Sequence, residues 1–274
     1  MGDWTPENSQ FSELGLRVAS AVVLIPIAFA SVWFGGWALA VFCAVLAALM
    51  SWEWAKMGGV GTSWLVGVPA VLACLSLLLE PAWLSPAILS AGVMLNFIIR
   101  KGGFRARSVA AFGVLYVFAL SGSLFLLRDG AWDGRELALY VMCFVWASDA
   151  SAYFTGRSLG GPRLLPSESP NKTWSGAIGA FVACIVCGIL VSLLENQAML
   201  VWAIFGGAVS VVAQIGDLFE SGLKRRFKVK DSSALLPGHG GVLDRVDGLG
   251  AACLFAVVLF YANSTLSYYL GVGA

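Results

Sequence analysis

Between Asp217 and Asp247 the chain reads DLFESGLKRRFKVKDSSALLPGHGGVLDRVD. Charged residues are only 12% of the whole, yet this stretch holds six of its 17 Lys and Arg, five of its 16 Asp and Glu, and its single His. Asp217, Glu220 and Ser221 are spaced to share one helix face; Asp244 and Asp247, three apart, follow beyond a loop. Carboxylates brought together from two helix ends make a high-charge, oxygen-only site suited to Mg²⁺, whereas one His and no soft ligands argue against zinc. Lys224-Arg225-Arg226 and Lys228-Val229-Lys230 run between the acids; alone, such a run is an inside-facing topology signal or an anionic-lipid contact. Leu236-Pro237-Gly238-His239-Gly240-Gly241 follows, where glycines let backbone N–H groups approach phosphate oxygens. Acids, cations and a glycine-rich turn in this order point to a polyanionic partner held with a metal.

A second polar cluster lies upstream. Asp149 sits five residues from the end of an apolar run. An ionisable group inside a span costs about 2.5 to 3.5 kcal/mol at mid-membrane, so it faces a polar cavity or snorkels to the interface. After it come Gly156-Arg157, Gly160-Gly161 and then Ser169-Pro170-Asn171-Lys172-Thr173, which is predicted to open the next helix. Ser, Thr and Lys at a helix N-terminus can hold an anion through free N–H groups and the helix dipole. There is no GxxxxGK[ST] sequence, hence no P-loop, and no Ser/His/Asp arrangement. A lone His among glycines reads as a phosphate ligand rather than a base.

The elements that must position these residues are membrane helices. A chain of 274 residues that is 59% hydrophobic, with 11 Trp, is far more apolar than a soluble domain; its mean hydropathy is +0.83. The expected fold is an all-α, polytopic membrane bundle of about nine helices. The predicted spans cover residues 18–34, 37–52, 63–79, 81–99, 109–127, 137–154, 174–194, 199–218 and 249–270, the first of them about long enough for a core near 30 Å. The third and fourth meet at Glu80-Pro81, where a re-entrant pair would change the count. Residues 1–16 read as a polar tail, and Ala28-Phe29-Ala30 resembles a signal-peptidase box inside a run that continues past it, so the first helix is read as uncleaved.

With nine spans, fifteen Lys and Arg fall in the N-terminal tail and the loops after even-numbered spans, and only Arg128 and Arg135 in the others. The positive-inside rule then puts the N-terminus in the cytoplasm, and the 155–173 and 219–247 loops on that same side, able to share one site. The whole reads as one membrane domain, residues 1–136 supplying five helices and 137–274 the chemistry-bearing four. A net charge of +1 gives no nucleic-acid signal. The six Cys all lie in apolar runs, and the CxxC of Cys184 and Cys187 has no second pair, so neither disulfides nor a metal knuckle are expected.

From Ser221 to Asp247 the pattern Ser-Gly-Leu-Lys224-Arg225, Lys230-Asp231 and Leu236-Pro-Gly-His239-Gly240-Gly241-Val-Leu-Asp244-Arg245-Val-Asp247 resembles, unbroken over 27 residues, the signature of the phosphatidate cytidylyltransferase (CDP-diacylglycerol synthase) family. Ser148-Asp149-Ala-Ser-Ala-Tyr153-Phe-Thr-Gly156-Arg157 and Ser169-Pro170-Asn-Lys172-Thr173-Trp174 are similar to its other segments; the first five spans resemble it only in being apolar. Ser151 stands where members often have Gly, and Ser175 where many have Glu. The resemblance implies transfer of CMP from CTP to phosphatidic acid, giving CDP-diacylglycerol and pyrophosphate. Phosphatidate is already an anionic nucleophile, so no protein base is needed; the task is to bring two anions together in line. Asp217 and Asp244 are then expected to hold Mg²⁺, with Asp149, Glu220 and Asp247 beside them, as one or two divalent ions with a monovalent cation also compatible. Lys224, Arg225, Lys230 and Arg245 would neutralise phosphate oxygens, aided by Ser221, Asp231, His239, Gly240 and Gly241. Ser169, Lys172 and Thr173 would bind phosphate from the opposing loop.

Three rivals remain at this stage. A CTP-using lipid kinase would direct attack to the γ-phosphorus and release CDP. An ion or phosphate transporter would carry essential acids near mid-span and gates on both faces, unlike the one-sided charge here. An inactive scaffold is hinted at by Ser175 alone. Size suggests a bacterial inner membrane with the site facing the cytoplasm, membrane lipids as neighbours, no nucleic-acid partner, and a homodimer among the allowed states.

Overall fold

The protein is seen here as a computed structural model that describes residues 20, 22–130, 134–236 and 240–262. Helices dominate because most of the chain is apolar and, out of water, a backbone can satisfy its own N–H and C=O groups within one helix. In order they are α1 (Val22–Phe34), α2 (Gly36–Met57), α3 (Trp64–Ser76), α4 (Leu84–Ile98), α5 (Phe104–Gly130), α6 (Gly134–Leu159), α7 (Trp174–Glu195), α8 (Met199–Arg226) and α9 (Leu243–Ala262). Five of them, α2, α5, α6, α7 and α8, are long and apolar enough to cross a membrane. At 1.5 Å per residue, α3 and α4 reach only about 20 Å, short of a full hydrocarbon core. They meet around the Glu80-Pro81 junction, where the sequence is least decisive about the count. The predicted tail at 1–16 and the end of the ninth span, 263–270, lie outside the described residues.

The expectation of a purely helical chain needs one correction. Strands β1 (Arg163–Leu165) and β2 (Ser169–Thr173) pair antiparallel, with Arg163 opposite Thr173 and Leu165 opposite Ser169. Ser169–Thr173 therefore precedes helix α7 and does not open it. Pro170 lacks a donor and biases Ser169 toward extended backbone. Thr173 is itself extended and caps α7, its Oγ1 accepting from Gly176 N at 3.2 Å.

Helices α2 to α5 pack on one another, as do α6 to α9, and α5 joins the two groups through α9 and α6. The backbones of α7 and α8 touch: a methyl group on Gly206 would lie 2.2 Å from the Cys184 carbonyl oxygen, and one on Gly188 2.2 Å from that of Trp202. This is the close approach that small residues permit between helices in lipid. At the other seam, Trp54 of α2 donates its indole N–H to Val109 O at 3.0 Å and meets Tyr116 of α5 at a tilt and Phe227, beyond α8, edge-on. The chemistry-bearing ends of α6 and α8 and the start of α9 are thereby held against both groups.

Candidate active site

Helix α8 continues past its apolar run to Arg226, so Asp217, Glu220, Ser221, Lys224 and Arg225 all lie on its last three turns. The cations Lys224, Arg225 and Arg226 occupy the final turn, where they complement the carboxyl end of the helix dipole. Lys224 points back toward α9, its Nζ 2.5 Å from Asp244 Oδ1 and 3.5 Å from Glu220 Oε1. Asp244 sits in the first turn of α9. Its Oδ2 accepts from Ser232 N at 3.0 Å, Ser232 Oγ at 2.9 Å and Gly241 N at 2.9 Å. Burial alone would raise the Asp244 carboxyl, but the Lys224 ammonium and the Gly241 and Ser232 amides outweigh it and hold the group below the usual carboxylate range.

The two loops that the charge count assigns to one side do meet. Lys172 of β2 forms an ion pair with Asp217 of α8. Arg225 donates through Nε to Glu168 O at 3.2 Å, in the β1–β2 turn, and through Nη1 to Val229 O at 3.1 Å. Asp149 of α6 lies within electrostatic reach of Asp217, Asp247, Lys172 and Arg245. Asp247 is buried one turn into α9, its Oδ1 accepting from Gly248 N at 2.8 Å. Beside it, Glu220 is wholly buried, and neither of its carboxylate oxygens has a hydrogen-bond donor among the described residues. Two such acids side by side repel unless a cation or a shared proton lies between them.

Asp149, Asp217, Glu220 and Asp247 thus converge, with Asp244 one lysine away. They do not form a ligand shell: among the described residues no three His, Cys, Asp or Glu side chains are placed to hold an ion. Asp217 and Asp244, the two residues expected to share one ion, each carry a lysine partner in this structure. The donor set nevertheless fits a hard cation in kind, being all oxygen, partly buried, and including a carboxylate with both oxygens unsatisfied.

Several expected phosphate ligands are committed elsewhere. The Gly240 amide bonds to Leu236 O at 3.1 Å and the Gly241 amide to Asp244, so neither N–H is free to cradle phosphate. Thr173 Oγ1 caps α7. Ser175, standing in place of the Glu common in the resembled family, donates to Gly160 O and ties the start of α7 to the end of α6. Lys230 and Asp231 are exposed on the loop rim, Ser169 and Ser221 are half-buried, and Arg245 is exposed in the first turn of α9. His239 lies outside the described residues.

Glu53 of α2 is absent from the residues that the sequence pattern singles out, although it is fully buried and binds the same loop. Its Oε1 accepts from Ser233 Oγ at 2.6 Å and Val242 N at 2.8 Å; its Oε2 accepts from Leu243 N at 2.7 Å and Ser232 Oγ at 3.3 Å. The available signal was a carboxylate between Trp52 and Trp54 at the end of an apolar run, a position where an ionisable side chain needs a dedicated partner.

Residues 15–263 match the model of the cytidylyltransferase family. The chain is 40% identical over 252 residues to a phosphatidate cytidylyltransferase of Brucella abortus, covering 88% of this chain and 91% of that protein. It is 34% identical over 268 residues to the protein of that name from Pseudomonas aeruginosa, covering 90% and 97%. With that of Staphylococcus haemolyticus it shares 31% over 253 residues, covering 85% and 93%.

Proposed function

The chain belongs to the cytidylyltransferase family, and from that premise we propose how its residues carry out the reaction. It is an integral membrane nucleotidyltransferase of phospholipid biosynthesis, joining CTP and phosphatidate to give CDP-diacylglycerol and pyrophosphate. The reaction site is the corner where α6, β2, α8 and the start of α9 converge. What supports this most is the charge pattern there: five carboxylates, two of them already matched by lysine ammonium groups and one, Glu220, buried with no hydrogen-bond donor among the described residues.

Asp217 and Asp244 would hold Mg²⁺, with Asp149, Glu220 and Asp247 completing the negative cluster. Where a lysine now neutralises each carboxylate, a divalent ion can do so more strongly. Bound there, it would neutralise charge on the triphosphate and polarise the α-phosphorus. Lys172 and Lys224, released from their carboxylates, would each face phosphate oxygens from opposite walls. Arg225 keeps the β1–β2 turn against α8 and so keeps Lys172 within reach. Arg245 at the start of α9 and Lys230 on the rim loop, together with His239, would meet the outer phosphates. The phosphatidate oxygen needs no base, only an approach from which repulsion has been removed.

The finer topology follows the charge count: nine crossings, N-terminus and active site toward the cytoplasm, in a bacterial inner membrane. The test uses purified protein in detergent with labelled CTP, phosphatidate and Mg²⁺. CDP-diacylglycerol and pyrophosphate should appear, with no CDP, and Asp217→Asn or Asp244→Asn should lower turnover at least a hundredfold. Either variant retaining near-normal Mg²⁺-dependent turnover would remove the metal assignment.

A further inference from the structure

We infer that Glu53, in the N-terminal half of the chain, is a positioning residue for the reaction: it clamps the Ser232–Leu243 loop and caps α9 from another helix, thereby fixing Asp244. The inference rests on the reading of the site just given. Glu53 is fully buried and takes four donors from a segment about 180 residues away, with no cation pairing with it among the described residues. Four donors and no acceptor is what an acceptor-only carboxylate requires. Two of them, Val242 N and Leu243 N, are amides that the first turn of α9 leaves without an intrahelical partner. Helix α9 is thus capped by a side chain of α2, with a carboxylate at the positive end of the helix dipole.

The link onward to Asp244 is a single hydroxyl. Ser232 Oγ lies 3.3 Å from Glu53 Oε2 and 2.9 Å from Asp244 Oδ2, and the Ser232 amide also donates to Asp244. Gly241 lies in the same clamp: a β-carbon there would sit 1.9 Å from Ser232 Oγ and 2.6 Å from Glu53 Oε1, so side chain and loop are closed on each other with no slack. Asp244 in turn holds Lys224. A displacement of Glu53 therefore passes to the reacting groups through Ser232 and the α9 terminus without Glu53 touching substrate.

Glu53→Gln is the discriminating change because it preserves shape. Each carboxylate oxygen of Glu53 holds one serine hydroxyl and one backbone N–H. A hydroxyl can turn and accept from the new amide, but a backbone N–H cannot, so either orientation of glutamine orphans one of the α9 amides. In Glu53→Gln, kcat is expected to fall at least tenfold while KM for CTP stays within about twofold. Hydrogen exchange at the Val242 and Leu243 amides, measured without substrate or metal, should speed at least tenfold, with α7 amides unchanged.

Asn96→Ala is the control for simple loss of fold. Asn96 is buried in α4, donates to Leu65 O at 2.8 Å and Gly92 O at 2.9 Å, and belongs to neither the loop nor the site. It should lower the unfolding temperature while leaving kcat within twofold. The inference is overturned if exchange at Val242 and Leu243 is unchanged in Glu53→Gln. It is equally overturned if kcat falls no further than in an Asn96→Ala protein of matched stability. Wild-type protein that makes no CDP-diacylglycerol would instead sink the functional reading, with the exchange result still judging the clamp.

Discussion

Replacing Lys224 by methionine removes one positive charge and little volume. Its side chain is 12% exposed, and it serves Asp244, 8% exposed, and Glu220, 0% exposed. Once the ammonium is gone, one buried carboxylate loses its ion pair and the other the one cation that pairs with it among the described residues. Breaking a buried pair by removing one partner costs about 3–5 kcal/mol, because the stranded charge is not rehydrated. At roughly 2–4 °C per kcal/mol for a chain of this size, the unfolding midpoint should fall by on the order of 10 °C. The eleven Trp provide the signal for thermal unfolding in detergent. A second change, Glu220→Gln, removes one of the stranded acids, so Lys224→Met/Glu220→Gln should recover about 1–3 kcal/mol relative to additivity. The pH dependence has a definite sign. Asp244 is held below its unfolded value, so its contribution is fully present above about pH 4 and is lost as pH falls through the lower folded value. The gap between wild type and Lys224→Met should therefore narrow below pH 4. A midpoint within 2 °C of wild type at pH 7, or a double variant no better than additive, would refute the reasoning.

Lys172 and Asp217 are more open, with side chains 28% and 38% exposed, so their ion pair adds less than about 1 kcal/mol to stability. Lys172→Met should keep the unfolding midpoint within about 3 °C yet lower kcat/KM for CTP at least tenfold, chiefly through KM, as steady-state kinetics would show. Gly206→Val should lower the midpoint by more than 10 °C, because its side chain would meet the Cys184 carbonyl and push α7 from α8. Gly103→Ala, where a β-carbon meets nothing within 4 Å, should be neutral in the same melt.

The site was legible in the sequence where it is local. Asp217, Glu220 and Lys224 follow one another on a single helix face, and periodicity reads such spacing directly. The convergence of Lys172 with Asp217 was legible at one remove, since the charge count put both loops on one side and the ion pair joins them. Local pattern failed where a residue's partner lies elsewhere. The glycines at 240 and 241 looked like phosphate donors because a turn of this composition leaves amides free. Which acceptor reaches those amides first is decided by Leu236 and Asp244, and composition does not encode that choice. Residues 163–173 contain too short a polar run for strand periodicity to register, and their pairing needs Arg163 brought opposite Thr173. Gly206 brings α8 against α7 because absence of a side chain has one dominant use between lipid-embedded helices.

The sequence alone likens the first five helices to the family only in being apolar, yet the family match runs over residues 15–263 and includes them, and Glu53 shows how they bear on the reaction. Tyr116 of α5 lies tilted, 5.8 Å from Phe219, two residues after Asp217, and Trp54 of α2 lies edge-on, 5.7 Å from Phe227 at the end of α8. These apolar contacts seat α8 against α2 and α5 but specify no angular position closely, because aromatic packing tolerates sliding. The carboxylate beside Trp54 supplies what they lack. Its four directional bonds fix the start of α9 relative to α2, while Trp54 fixes the end of α8 to the same turn of the same helix. The distance between Lys224 and Asp244, on which charge balance at the site depends, is thus set by one helical turn of the N-terminal half. An N-terminal half replaced by other apolar helices would keep the membrane anchor and lose that registration.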